Sequence, residues 1–165
     1  MNRSLTNCKK TKNDIFYTPP DVVADCMSLI DIAKSDTLLD PFYGDGAFYK
    51  AYPAINTKDW CEIEKGKDFF EYNQKVDWII SNPPFSKLTK VLNHCAEICE
   101  KGFGLIMLCI HLNPKRLNDL SDKGFKITKI HLFTVKEWSG FPSCFIVFNK
   151  TGKSLFDLKV LINLI

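Results

Sequence analysis

Leu38-Leu39-Asp40-Pro41-Phe42-Tyr43-Gly44-Asp45-Gly46 is a short apolar strand that runs into a tight turn holding two glycines. In doubly wound sheets, ligands sit outside the carboxyl ends of the strands, where the first loop bends beneath them. Gly44 and Gly46 allow that loop positive φ and a close approach of backbone to ligand. The dinucleotide fingerprint needs a third glycine, and Phe48-Tyr49 stands in its place. A Gly-Lys-Ser/Thr phosphate loop is also missing, so a pyrophosphate ligand is disfavoured. Asp40, which closes the strand, suits a cationic ligand better.

Two later stretches extend this reading. Glu62 falls 22 residues after Asp40, at the end of the next short strand, where a carboxylate can accept both hydroxyls of a ribose. Asp68-Phe69-Phe70 then offers an acceptor for an adenine amine and two ring faces. Farther on, the apolar strand Val76–Ser81 runs out at Asn82-Pro83-Pro84-Phe85. Consecutive prolines remove two backbone donors and hold the preceding residue extended. An amide carbonyl, a proline carbonyl with no ladder partner and a ring face are thus offered at one sheet edge. That set suits a planar base with an exocyclic amine, although a strand-ending turn with a core phenylalanine reads the same way.

The remaining pattern alternates strands and helices. Pro19-Pro20-Asp21 opens a helix carrying Val22, Val23, Cys26, Leu29, Ile30 and Ile32 at near-helical spacing. A short helix is expected around Ala47–Ala51, and a brief strand near Trp60–Ile63. Ser86 is expected to cap a helix reaching about Glu100, with Gly102-Phe103-Gly104 separating it from a strand at Leu105–Ile110. Pro114–Lys123 reads as a helix closed by Gly124. Lys126–Val135 and Cys144–Phe148 read as a hairpin with a long loop. Short links between alternating elements predict a parallel α/β sheet made mixed by one antiparallel strand.

The 165 residues fit one domain with a sizeable core, preceded by a basic segment (1–13) and followed by an apolar tail (151–165). In the tail, Leu155, Leu158, Leu161, Ile162 and Ile165 recur at helical spacing; it either docks on its own domain or serves a homodimer or partner-subunit interface. A net charge of +3 is compatible with a polyanion partner. Seven cysteines, an odd number, lie mostly in apolar runs; together with the polar start and the lack of an apolar run of about 20 residues, they point to free thiols in an intracellular, cytoplasmic, reducing setting and away from a membrane. His94, Cys95 and Cys99 lack a second ligand pair at zinc spacing, so no metal is expected.

With these motifs in hand, the chain resembles the S-adenosylmethionine-dependent adenine-N6 DNA methyltransferases over about residues 14–150. Phe16-Tyr17-Thr18-Pro19-Pro20 is similar to the upstream motif that cradles the methionine end. Asp40-Pro41-Phe42-Tyr43-Gly44-Asp45-Gly46 resembles the family's Asp-Pro-Phe-x-Gly-x-Gly loop. Glu62 matches the ribose acid, Asp68-Phe69 the adenine-binding pair, and Asn82-Pro83-Pro84-Phe85 the catalytic motif. The order of motifs resembles the gamma-type enzymes, without a recognisable target-recognition region. The resemblance implies a Rossmann-like class I fold, with a mostly parallel seven-stranded sheet and a terminal antiparallel hairpin. S-adenosylmethionine is the implied cofactor, and Tyr17, Thr18, Pro19, Asp40, Phe42, Gly44, Gly46, Glu62, Asp68 and Phe69 are its implied contacts.

It also implies in-line methyl transfer, with the Asn82 side-chain oxygen and the Pro83 carbonyl accepting the two amine hydrogens, Pro84 rigidifying the turn and Phe85 stacking on the base. The expected partner is nucleic acid, with DNA ahead of RNA. Lys87 and Lys90 either hold flanking phosphates or form a solvated helix face. Trp138 or Phe141, in the late hairpin loop with Lys136, is expected to supply the opposite wall of a base clamp. Alternative readings are methylation of RNA adenine, methylation of a protein glutamine amide, and an idle partner subunit.

Overall fold

The computed structural model describes residues 17–138 and 142–155. The expectations for the basic segment 1–13, for Phe16 and Phe141, and for the tail beyond Leu155 lie outside the described residues.

Six strands form one sheet in the order β2-β1-β3-β4-β6-β5. They are β1 (Leu38–Asp40), β2 (Lys58–Trp60), β3 (Val76–Ser81), β4 (Cys99–Leu108), β5 (Lys126–Thr134) and β6 (Pro142–Asn149). The first four run parallel, whereas β6 is antiparallel to both of its neighbours, β4 and β5. The helices are α1 (Pro20–Ser28), α2 (Ala47–Ala51), α3 (Leu88–Ile98) and α4 (Pro114–Asp122). No helix among the described residues is long and apolar enough to cross a membrane.

The period-2 alternation of the strands builds two cores, one on each face of the sheet. Leu39, Ile79, Leu105, Met107, Cys144 and Ile146 join α3 and α4 on one face. Leu38, Trp78, Ile80, Ile106, Phe145 and Val147 join α1 and α2 on the other. The result is an α/β/α sandwich of the Rossmann type. The chain leaves β1 for β2 on one side and returns to β3 on the other, so the β1/β3 junction is the switch point where such sheets bind ligands.

Four expectations need correction. The sheet has six strands among the described residues rather than seven. The hairpin of β5 and β6 forms, but β6 lies inside the sheet and β5 is the edge. Burial explains the order: β6 is buried continuously over Ser143–Phe148, whereas β5 alternates and leaves Leu132 exposed. Gly102-Phe103-Gly104 is not a linker but the middle of β4. A Cβ at Gly102 would lie 2.5 Å from the Phe148 carbonyl oxygen and 2.7 Å from the Trp78 ring, and one at Gly104 would collide with Phe145. Ser86 does not cap α3, because Pro84 first directs a 3-10 turn (Phe85–Lys87) whose closing bond runs from Lys87 N–H to the Pro84 carbonyl at 3.1 Å.

Cys95 and Cys99 do not share a helix face, since α3 ends at Ile98 and Cys99 opens β4. Cys99 Sγ donates to the Gly102 carbonyl at 2.7 Å. All six cysteines among the described residues are free thiols.

Candidate active site

At the carboxyl ends of β1 and β3 opens a cavity of about 430 Å³, within the usual range of small-molecule sites. Its floor is the loop after β1, and Asp40 ties that loop down. The Asp40 carboxylate accepts from Ser81 Oγ at 2.6 Å, from Tyr49 N–H at 3.2 Å and from Phe42 N–H at 3.4 Å. Burial pushes its pKa up to about 6, against the opposing pull of these donors. Asp40 therefore serves as a fastener for the loop, with most of its acceptor capacity taken up by protein donors. The Tyr52 hydroxyl adds a second stitch between the strand ends, lying 3.0 Å from the Leu39 carbonyl and 2.5 Å from that of Ile80.

The turn needs its glycines. Gly44 has φ +52°, and nothing lies closer than 3.9 Å to where its Cβ would be, which leaves the backbone open to a ligand. Gly46 has φ +82°, and a Cβ there would stand 2.6 Å from the Tyr43 ring. Gly46 thus shapes the turn rather than lining the cavity.

One wall comes from the segment after β2. Cys61 N–H donates to the Asp40 carbonyl at 2.9 Å and Tyr43 N–H to the Cys61 carbonyl at 3.0 Å, so this segment runs beside the loop. Glu62 therefore lands next to Gly44, whose N–H donates to Glu62 Oε2 at 2.8 Å. Asp68 caps the following turn by accepting from Phe70 N–H at 2.9 Å. Phe69 is buried against Phe42, with ring centroids 5.3 Å apart, while Phe70 offers a half-buried face.

The opposite wall is Asn82-Pro83-Pro84-Phe85. Pro84 spends its carbonyl on the turn to Lys87, whereas no hydrogen bond ends on the Pro83 carbonyl among the described residues. Asn82 Nδ2 donates to Thr18 Oγ1 at 3.2 Å. The Phe85 ring meets His111 edge-on at 5.4 Å. Lys90 Nζ sits 3.9 Å and Lys87 Nζ 6.0 Å from the Phe70 ring centre.

The cavity thus gathers Tyr17, Thr18, Asp40, Phe42, Gly44, Glu62, Asp68, Phe69, Asn82, Pro83, Pro84, Phe85 and Lys87, all named from sequence. Pro19 is not among the lining residues; it sits at the N-cap of α1, where its carbonyl accepts from Val23 N–H. Trp138 is likewise displaced from its expected place as a clamp wall. It is 7% exposed and packed edge-on to Phe133, and its Nε1–H donates to the Tyr17 carbonyl at 3.1 Å. An indole in a turn-rich segment gains more from burying its ring with its N–H satisfied than from standing in water.

Sequence reasoning overlooked Ser81, Tyr52, Ile63 and His111. Only Ser81 carried a signal, as the one polar side chain at the end of an apolar strand. His111 Nδ1 accepts from Leu108 N–H at 3.3 Å, and burial together with the Arg116 charge lowers its pKa.

No protein-family model matches the chain, and no curated protein matches it in sequence. Solved structures do. The 23S rRNA methyltransferase ErmE is similar at TM-score 0.63 and 11% identity, over 88% of this chain and 75% of that one. Magnesium protoporphyrin IX methyltransferase from Synechocystis PCC 6803, crystallised with bound SAM, is similar at TM-score 0.60 and 12% identity, over 79% and 77%. TrmN from Thermus thermophilus is similar at TM-score 0.58 and 16% identity, over 80% of this chain and 49% of its own length. These likenesses show a shared fold, the Rossmann-like fold of class I methyltransferases.

Proposed function

We propose that this chain transfers a methyl group from S-adenosylmethionine to the N6 amine of adenine in DNA. The observation that carries the reading is the Pro83 carbonyl, which takes no hydrogen bond among the described residues and sits beside the Asn82 amide in the wall of a cavity whose other wall presents Glu62 and Asp68. Those carboxylates fit a nucleoside-bearing donor: Glu62 would accept from the ribose hydroxyls and Asp68 from the adenine amine, above a glycine backbone left open at Gly44. When bound, the donor supplies an electrophilic methyl on a sulfonium, so that the new N–C bond forms as the C–S bond breaks.

The protein's own part is electrostatic. An adenine amine is a poor nucleophile because its lone pair is delocalised into the ring. Acceptance of its two hydrogens by Asn82 Oδ1 and the Pro83 carbonyl draws the nitrogen toward tetrahedral geometry and meets the positive charge that grows there. Preorganised dipoles aimed at developing charge are usually the largest catalytic contribution. Phe85 would hold the base by its face, and Lys87 and Lys90 would hold phosphates beside it. The amine proton becomes acidic once the nitrogen is cationic, so no base is required beforehand.

RNA is the second reading, supported by the likeness of fold to an rRNA methyltransferase. One experiment addresses both. The protein is incubated with tritiated S-adenosylmethionine and DNA, RNA or a glutamine-containing protein, and the labelled nucleoside is identified after digestion. Label in N6-methyladenine from DNA is expected; label confined to RNA or to protein glutamine would replace the proposal.

A further inference from the structure

We infer that Ile110 is a wedge that enters the base stack of a DNA duplex and fills the step vacated when the target adenine swings into the cavity. The inference rests on the reading of that cavity as an adenine site.

An adenine in a duplex hides its amine inside the stack, so it must leave the stack to reach an enzyme's acceptor groups. The vacancy left behind exposes the faces of the neighbouring base pairs to water. Proteins that kink or open a duplex frequently press an apolar side chain into such a step. Ile110 is 82% exposed, more than any other large apolar side chain among the described residues. Single exposed apolar residues are ordinary on protein surfaces, so exposure alone decides nothing. The setting of Ile110 does.

β4 runs parallel to β3 with Leu105 level with Ser81, so the 3-10 turn Cys109–His111 that follows β4 stands at the same sheet edge as Asn82-Pro83-Pro84-Phe85. The next residue, His111, meets the Phe85 ring edge-on at 5.4 Å, which places Ile110 beside the proposed base seat. The turn is also held firmly. Leu108 N–H donates to His111 Nδ1 at 3.3 Å, Leu112 N–H to the Cys109 carbonyl at 3.1 Å and Arg116 Nη1 to the His111 carbonyl at 2.8 Å. A tip fixed at these points and still offering an isoleucine to water pays little ordering cost on insertion. Charge points the same way. Arg116 Nε donates to Thr89 Oγ1 at 3.0 Å and so ties the turn to α3, where Thr89 lies between Lys87 and Lys90. Lys115 precedes Arg116 in the first turn of α4. None of these cations is within ion-pair distance of a carboxylate among the described residues. An apolar tip flanked by unpaired cations matches a duplex, in which stacked bases lie between two lines of phosphates.

The test compares the native protein with Ile110→Ala, which removes most of the tip, and Ile110→Leu, which keeps it apolar. Two fluorescein-labelled DNA duplexes of one mixed sequence are used. One is intact, and the other carries a central abasic residue that already provides the vacancy. Binding is followed by anisotropy and needs no methyl donor. The native protein and I110L are expected to prefer the abasic duplex by about 10-fold, and I110A is expected to lose most of that preference. In methyl transfer from tritiated S-adenosylmethionine to mixed-sequence DNA, I110A is expected to lower the rate on native duplex about 10-fold more than on heat-denatured DNA, because a single strand has no paired stack to open. The Tm should not fall, since the side chain buries little of its own. An abasic preference missing from the native protein or undiminished in I110A, or equal losses on duplex and denatured DNA, would overturn the inference. A preference that depends on Ile110 without any labelling of DNA would instead count against the proposed reaction and leave the wedge in place.

Discussion

Asp40 and Ser81 show how single residues prepare the site. A buried carboxylate is costly while charged, and the Ser81 hydroxyl is one of three donors that offset the cost. Because the folded pKa is raised to about 6 from an ordinary 3.8, the native state holds the proton more tightly than the unfolded chain does. The sign follows from linkage: the contribution of Asp40 to stability is greatest in acid and declines as pH rises from 3.8 to about 6. Ser81→Ala removes a donor that matters most to the ionised form. It is expected to destabilise by about 1–3 kcal/mol at pH 7.5 and by clearly less at pH 4, as measured by urea unfolding at the two pH values. Equal losses at both would mean that Asp40 does not ionise in the folded protein. Glu62 carries a different load, since it faces the cavity while it holds Gly44. Glu62→Ala is expected to weaken S-adenosylmethionine by about 100-fold or more, through loss of two hydrogen bonds to a charged acceptor, and calorimetry reads this directly. Asn82→Ala should leave that affinity intact and lower kcat by about 100- to 1,000-fold.

At the scale of elements, the motifs that end β1 and β3 were legible because each follows an apolar strand and each carries residues whose backbone chemistry is unusual. Two glycines or two prolines after such a run constrain the chain locally, and the parallel pairing of Leu38 with Trp78 and Leu39 with Ile79 then brings the two motifs together. The errors came where the deciding contact was distant. Gly102 and Gly104 read as a break because glycine usually interrupts regular structure. Here the rings of Trp78 and Phe145 lie so close to β4 that a side chain has no room. Trp138 was misplaced for the same reason, as no local signal tells whether an indole in a loop faces a pocket or a core. Gly104→Ala adds one methyl against Phe145 and is expected to cost about 1–3 kcal/mol by overpacking, whereas Gly66→Ala meets nothing within 4 Å and pays only for its positive φ. If a guanidinium titration found Gly104→Ala no worse than neutral, the close approach of β4 and β6 would be wrong.

Over the whole molecule a net charge of +3 is modest, so the placement of the cations matters more than their number. Lys67, Lys75, Lys101 and Lys123 each lie within ion-pair distance of a carboxylate. Lys87 and Lys90, at the start of α3 beside Phe85, have no carboxylate partner among the described residues and stand over the ring of Phe70. A cation left unpaired at the mouth of a cavity is available for a phosphate, and a phosphate contact has a signature that packing contacts lack. Each phosphate neutralised on a single strand contributes about 0.7 to the slope of log K against log salt. Lys87→Gln/Lys90→Gln is therefore expected to reduce that slope by about 1.4 for a fluorescein-labelled single-stranded oligonucleotide followed by anisotropy. The loss of affinity should be uniform across sequences, since phosphate contacts position a strand without reading its bases. Parallel titrations with DNA, RNA and duplex separate the polynucleotide classes, and an unchanged slope for all three would place the strand elsewhere on the surface and return the two lysines to a solvated helix face.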